Sequence, residues 1–570
     1  MSSLKEIVEK IKNKDLEKAL KLCDNYNDKN SQYIISNFKG VIHLIKGDLE
    51  LSEENLLTSI RLKPEFEDPI KNLYSLFLKK KDFKKVLFYA KKLVQINNNN
   101  NDYYYKLAYA HGLNHNLNET LEYYKKYISL DGKNKKQAFN NIGCLYLQRN
   151  NPKTAKDFFL KGIDFGEDKI IINNLLKSYI LLRDKENSDI FFEKAKDIDK
   201  EFIEFKYNKA KYLILNNQIE EAIKILIDNI DNSQFLITLL VLYSNIGRKE
   251  ECDKILGKSK ERVINEPEFL NYFGLKLLYE GNFEDGWRYY EHRNSKITDF
   301  FRDINEWSGE EIKDKNIVVF NEQGIGDSIQ FSKFIIPLTK IAQNVTFAVQ
   351  SNIQDIFRKD IKNLSIGTIK DFKNKKFDFK IALGSLIKFF FKENFEKNEN
   401  LLQTNKDKDL KWNKKISKNK LNVGIVWSGS FNGANEPYRS IPLKSLKKIF
   451  LLNANFYCLQ SEIWDRDKSD FMSLDLIDYS KYKLDEVSSI IKNLDLVITS
   501  DTSILHLSAS LNKETWAMLA LHPDWRWGEF NRIYPYSNLK IFKQESFNDW
   551  SNVENQIYNN LEKKILNKNN

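Results

Sequence analysis

Three short stretches carry side chains suited to binding a small anionic ligand. The first is NEQGIGDSIQF, Asn321 to Phe331, in which Gly324 and Gly326 flank Ile325 and Asp327 follows at once. Glycines placed so let a backbone turn sharply after a strand and approach a ligand, and a helix from Ser328 would present free N–H groups to it. Asp327 stands at the helix start, either capping it or facing a cleft.

The second stretch is VGIVWSGSFNGANEPYRSIPL, Val423 to Leu443. An apolar strand empties into a loop rich in Ser, Gly and Asn, which then presents Tyr438, Arg439 and Ser440 before Ile441-Pro442-Leu443 opens a helix. Backbone and hydroxyl donors such as those of Ser428, Gly429 and Ser440 suit a diphosphate, and Arg439 adds a planar cationic fork. The third is LDLVITSDTSILHLSASLNKETWAML, Leu494 to Leu519. There Asp501, Thr502 and Ser503 end a strand and begin a helix, where side chains cap the helix and donate to an anion. His506 follows Asp501 by five residues, near enough to serve the same ligand; taken alone it reads as a structural histidine.

Stretches of this kind need strands behind them and helices ahead. Short β-rich runs occur at Ile317–Phe320, Val345–Val349, Phe379–Leu383, Val423–Trp427, Phe456–Leu459 and Leu496–Thr499, with amphipathic segments such as Ser328–Ile341 and Leu484–Asn493 between them. Strands alternating with helices predict parallel sheets covered by helices. Ligands of such sheets bind beyond the carboxyl ends of the strands, where all three stretches lie. The Lys-rich segment Asn405 to Lys420 reads as an exposed linker between two α/β halves, 316–404 and 421–565.

Residues 1–295 have another texture. Gly40, Tyr74, Ala108 and Gly143 recur at spacings of 34, 34 and 35, and Leu176, Ala210, Leu240 and Gly274 continue the frame. An earlier unit fits around Ile7 and Ala19. The pattern resembles the tetratricopeptide repeat: paired helices approach through small residues, and stacking buries a continuous core that one pair cannot. About nine units fill 1–295. A concave face of such a solenoid grips a peptide or protein partner; Asn140, Asn141 and Asn173 either line it or are solvated. Tyr103, Tyr104 and Tyr105 read as packing.

Composition narrows the classes. An apolar share of 42% argues against global disorder. The 90 Lys and Arg stand against 79 Asp and Glu, and this mild, interspersed excess favours an anionic small molecule over nucleic acid. Cys23, Cys144, Cys252 and Cys458 form no CxxC pair, so neither disulfides nor zinc are expected. The first residues read as a charged amphipathic helix, no apolar run spans a membrane, and a cytoplasmic protein is expected.

The combination GIGDSIQFSKFIIPL, VWSGS…RSIPL, LQSE and DLVITSDTSILHLSASL resembles glycosyltransferase family nine, the heptosyltransferase group. GNFEDGWRYYEHR and HPDWRWG resemble phrases of members that also carry tetratricopeptide repeats. The resemblance implies an α-helical solenoid followed by a GT-B fold of two Rossmann-like α/β domains. It further implies a cleft site with no required metal, and a nucleotide sugar as co-substrate in place of any cofactor, the donor mostly on the 421–565 half and the acceptor mostly on the 316–404 half. Asp327 matches the family's general base in an inverting transfer. Thr502, Ser503, His506, Ser428 and Arg439 become candidates to meet the leaving diphosphate's charge, and Asp501 to orient donor hydroxyls. Ser503 replaces a glycine common in heptosyltransferases, and Arg439 stands in for a phosphate-binding lysine, so the heptose donor itself stays open. Two further readings remain: an interaction scaffold that has lost catalysis, and a protein O-glycosyltransferase resembling the repeat-bearing N-acetylglucosamine transferases. The tryptophans of DWRW read as packing.

Overall fold

The computed structural model describes residues 4–149, 151–196, 202–263, 265–293, 301, 303–372, 374–394, 400–430, 438–528 and 536–569. The loop residues 431–437 of the second stretch, and the 294–300 segment at the end of the repeats, lie outside them. The chain divides into two compact units, 1–218 and 219–570.

The first unit is all helical. Helices Gln32–Lys46 and Leu49–Leu62, Glu67–Lys80 and Phe83–Ile96, and Lys135–Gln148 and Pro152–Ile163 are successive-partner pairs. The recurring small residues explain the close pairing: a Cβ on Gly143 would meet the ring of Phe159 at 2.4 Å, so only glycine fits. Ile7, Ala19, Tyr74, Ala108, Leu176 and Ala210 are all buried on this frame, and Tyr103 and Tyr104 are buried with them.

The asparagines depart from expectation. Asn140 and Asn173 neither line a groove nor face water. Asn174 donates to Asn140 Oδ1 at 2.9 Å, Asn208 to Asn173 Oδ1 at 2.8 Å, and Asn72 to Asn37 Oδ1 at 2.9 Å. A buried amide at a repeat period finds its partner in the next repeat, since an unpaired one would be costly. Asn141 donates to the hydroxyls of Tyr124 and Tyr105.

The second unit begins with helices of the same kind, Ile219–Asp228 through Phe283–Tyr290. The alternating region follows. Strands β1 (Asn305–Glu306), β2 (Asn316–Phe320), β3 (Asn344–Ala348), β4 (Leu364–Gly367) and β5 (Phe379–Ala382) form one sheet in the order β1-β5-β2-β3-β4. A second sheet contains β6 (Leu421–Val426), β7 (Ala454–Cys458), β8 (Ile477–Asp478), β9 (Leu496–Ser500), β10 (Thr515–Leu519) and β11 (Leu539–Lys543), in the order β11-β10-β9-β6-β7-β8. Every pairing in both is parallel. The N-terminal region is thus an all-α repeat array and the C-terminal region a GT-B-like pair of parallel α/β sheets. One apolar cluster links Trp287 and Tyr290 of the last repeat helix to Val319 and Phe347 of the first sheet and to Val497 and Trp525 of the second half.

The expected linker at 405–420 is instead largely a helix, Lys406–Lys415, capped by Asn405. Trp412 is buried against Tyr479 and Tyr482 and donates its indole N–H to Glu486 at 2.9 Å. Lys492 pairs with Asp409 at 2.7 Å. The lysines on its other positions made a docked helix look solvated.

Candidate active site

β2 runs out at Phe320, and the helix Ile325–Phe331 begins four residues after Asn321, earlier than the expected start at Ser328. Gly324 is its N-cap with φ −69°, an ordinary extended conformation, so no sharp glycine turn is needed there. Asp327 serves as the cap acceptor: the Gly324 N–H donates to its Oδ2 at 3.1 Å. The demand for glycine falls on Gly326, and for a different reason. A Cβ there would lie 3.0 Å from His506 Cδ2 and 3.6 Å from Ser503 Cα. The helix carrying Asp327 therefore packs against the helix Ser503–Ser510 of the other half, with the His506 ring closing over Gly326.

That second helix begins immediately after β9, with Thr502 as N-cap. Thr502 Oγ1 lies 3.1 Å from Thr499 Oγ1. Asp501 is buried, and burial together with the nearby Asp524 carboxylate pushes its pKa up to about 6. Arg439 donates to the Asp501 carbonyl at 3.0 Å, which fixes the guanidinium beside this strand end. Ser500 Oγ is buried with no hydrogen-bond partner among the described residues. His506 is buried, with Nδ1 3.0 Å from the Tyr536 hydroxyl and its ring stacked on Trp527. Burial, with Arg526 and Arg439 nearby, holds its pKa well below the usual histidine range. The imidazole is neutral at neutral pH, so it offers a hydrogen bond and no positive charge.

After β6, Ser428 is held by one side chain, Gln460. The Ser428 N–H donates to Gln460 Oε1 at 3.1 Å, and Gln460 Nε2 donates to Ser428 O and Oγ at 2.8 Å each. The Gly429 N–H donates to Ser440 Oγ at 3.2 Å, and its carbonyl accepts from the Trp464 indole. Both backbone groups of Gly429 and the hydroxyl of Ser440 thus brace the loop itself.

Arg526 completes the constellation and was hidden in the DWRW phrase read as packing. Its guanidinium is buried between the two halves, donating to Asp327 Oδ1, to Gln330 Oε1 and, at 2.7 Å, to Asp524 Oδ1. The flanking tryptophans do pack: Trp525 meets Trp287 edge-on at 5.0 Å and Trp527 meets His506. An Arg between two tryptophans with an Asp two residues earlier was the available signal, since aromatic faces and a carboxylate are what a buried guanidinium needs. The loop before Asp327 is held from the repeat side too. The Tyr290 hydroxyl lies 2.8 Å from the Gln323 side chain, and Arg293 pairs with buried Glu322 at 2.9 Å.

A family model described as glycosyltransferase family 9 (heptosyltransferase) matches residues 470–557, and a tetratricopeptide repeat model matches 136–165 and 171–202. The chain carries tetratricopeptide repeats and a family 9 glycosyltransferase domain. The matched part of the glycosyltransferase domain contains Asp501, Thr502, Ser503, His506 and Arg526, while Asp327 and Arg439 lie before it. Protein FlbA of Caulobacter vibrioides (strain ATCC 19089 / CIP 103742 / CB 15) is 18% identical over 462 residues, spanning 73% of this chain and 70% of that protein. The solved glycosyl transferase family 9 from Veillonella parvula DSM 2008 is 14% identical, covering 45% of this chain and 99% of its own, with a TM-score of 0.34. YrrB, a TPR protein with an unusual peptide-binding site, is 20% identical over 30% of this chain and 87% of its own, with a TM-score of 0.27. Among the described residues of the glycosyltransferase domain and the repeats, no helix is long and apolar enough to cross a membrane.

Proposed function

We propose that the protein is a metal-independent, inverting glycosyltransferase that moves a sugar from a nucleotide-sugar donor to a hydroxyl of a glycan or protein. Its modules run 1–295, 316–404 and 421–565, and the repeats recruit the acceptor or a partner protein. The observation that carries the reading is the meeting of Asp327 and the Asp501–His506 segment at the carboxyl ends of two parallel sheets, through Gly326.

The chemistry follows from the side chains. An acceptor hydroxyl oxygen attacks the anomeric carbon, its proton passes to the Asp327 carboxylate, and the bond to the diphosphate oxygen breaks on the opposite face. The departing nucleoside diphosphate gains negative charge, which Arg439, the hydroxyls of Thr502 and Ser503 and the N–H groups at the start of Ser503–Ser510 offset. Gly324, Ser428, Gly429 and Ser440 shape the two loops that bound the donor, Asp501 orients its hydroxyls, and His506 contributes as a neutral donor or acceptor. Arg526 fixes Asp327 by one oxygen.

Calorimetry of the full chain against a panel of nucleotide sugars, followed by turnover with the best binder, tests the reading. A folded protein that binds none of them sinks it. The pairing of Asp327 with Arg526 favours one second reading, a scaffold whose carboxylate is spent on structure. That reading stands if donor binds and neither the native protein nor Asp327→Asn transfers its sugar to any acceptor.

A further inference from the structure

The last repeat helix, Phe283–Tyr290, ends on the buried Tyr290, and the turn after it carries Arg293 into the interior. Arg293 donates to Glu322 Oε1 from Nε at 3.1 Å and from Nη2 at 2.9 Å. The Gly384 N–H donates to the same oxygen at 3.2 Å. Three donors on one buried carboxylate oxygen pin Glu322, and with it the backbone that enters Gln323. An amide takes the orientation its neighbours dictate. For Gln323 this sets the nitrogen 3.3 Å from Asp327 Oδ1, as donor, and the oxygen 2.8 Å from the Tyr290 hydroxyl and 3.2 Å from Arg293 Nε, as acceptor. Burial and the nearby Asp327 carboxylate push the Tyr290 pKa up, so the phenol keeps the proton it donates. The turn that carries Arg526 rests on the same repeat. A Cβ on Gly528 would run into the Tyr279 carbonyl, and Trp525 packs edge-on against Trp287.

We propose that the last repeat is part of the active site, with Tyr290 a positioning residue that acts through Gln323 to aim Asp327 at the acceptor hydroxyl. The inference rests on the transferase reading above and adds to it the groups that orient the base. Asp327 Oδ1 receives Gln323 on one side and Arg526 on the other. Among the described residues, Oδ2 receives the Gly324 N–H alone, at 3.1 Å. An oxygen already holding two donors, one of them charged, is the poorer proton acceptor, so Oδ2 is the atom that works. The proton of the attacking hydroxyl passes to Oδ2 as its oxygen bonds the anomeric carbon and the bond to the diphosphate oxygen breaks. Both supports of Oδ1 lean on the repeat: Gln323 on Tyr290 and Arg293, and the Arg526 turn on Tyr279 and Trp287. The repeat helices therefore set the geometry of the chemistry, a task separate from recruiting a partner.

The test gives the full chain UDP-glucose, UDP-N-acetylglucosamine, GDP-mannose and ADP-glucose in turn. Release of the nucleoside diphosphate is followed with water, glycerol and a heat-treated cell extract as sources of acceptor hydroxyl. Tyr290→Phe removes one hydroxyl and keeps the ring against Trp287. It is expected to lower kcat by about 10–100-fold and to leave the KM for the nucleotide sugar within about two-fold of native, since a misaimed base slows chemistry and not binding. Gln323→Leu should lower kcat at least as far, and adding Tyr290→Phe to it should cost nothing more. Tyr289→Phe, on a ring that meets Phe273 edge-on at 5.2 Å, is the control and should match native. If Gln323→Leu does not fold by thermal melting, Gln323→Met takes its place in the cycle. An unchanged kcat in folded Tyr290→Phe overturns the inference and leaves the transferase reading standing. A raised KM with native kcat also overturns it, since Tyr290 would then serve binding. Losses that simply multiply in the double variant overturn it too, by separating Tyr290 from Gln323. A native chain that binds a nucleotide sugar yet releases diphosphate to no acceptor fails the transferase reading, and this inference falls with it.

Discussion

Arg526 and Asp327 are 199 positions apart in the sequence and form an ion pair across the two parallel α/β halves. The guanidinium is nearly inaccessible and also engages Asp524 and Gln330, so the pair is at once a clasp between the halves and the immediate environment of the proposed base.

Removing one partner of a buried pair leaves the other charge unpaired, which costs about 3–5 kcal/mol. Arg526→Met is therefore expected to destabilise the second unit by that order, with two carboxylates left facing each other. Adding Asp327→Asn to it should restore part of the loss. Urea denaturation of the two single variants and the double variant measures the coupling, and strict additivity would show that the pair is not a clasp.

Asp327→Asn alone retains the cap and the side-chain size while removing the proton acceptor. Transfer should fall by about 10²–10⁴-fold with nucleotide-sugar affinity within a few-fold of native. Single-turnover rates and calorimetry on one preparation separate the two quantities.

Gly326→Ala places a methyl 3.0 Å from His506 Cδ2, against a ring held by Trp527 and Tyr536. A neighbour so fixed cannot yield cheaply, so the variant should lose about 1–3 kcal/mol and some donor affinity. Gly47→Ala is a poor control because Gly47 has φ +92°. Gly257→Ala, at a helix site with open space around it, should cost nothing by thermal melting.

Asp501 gives a pH signature. Its pKa rises from 3.8 to about 6 on folding, so between those values the folded state binds more protons than the unfolded one. Stability then falls as pH rises through that window, and the loss is complete above about pH 6. Asp501→Asn should remove this contribution, leaving the variant more stable relative to native at pH 7 than at pH 4, by on the order of 1–3 kcal/mol. Melting curves across pH 4–7 report it, and parallel native and variant profiles would contradict it.

In the first unit, Asn173→Leu removes the Oδ1 to which the Asn208 amide donates at 2.8 Å and leaves that amide the longer bond to the Asn173 carbonyl at 3.2 Å. A loss of about 1–3 kcal/mol is expected, and replacing both residues by Leu should recover much of it. Guanidinium melts of the three variants check this.

The 34-residue recurrence of Gly40, Tyr74, Ala108 and Gly143 was enough to establish the helical array, because each position is a local requirement for two neighbouring helices to touch. The strand–glycine–helix order at Ile317–Asp327 and the strand end at Asp501–Ser503 were legible for the same reason: a period change and a cap are written within a dozen residues. The short strands β4, β10 and β11 were not, since four or five residues are too few to tell a strand from a piece of helix or loop by their pattern. The Lys406–Lys415 helix escaped because a single Trp412 carries its docking. Which residues face each other across the halves lay beyond any local pattern. Gly326 against His506, Arg526 against Asp327, and Tyr290 behind Gln323 pair positions far apart in sequence, and only packing of the two sheets and the last repeat around one core brings them together.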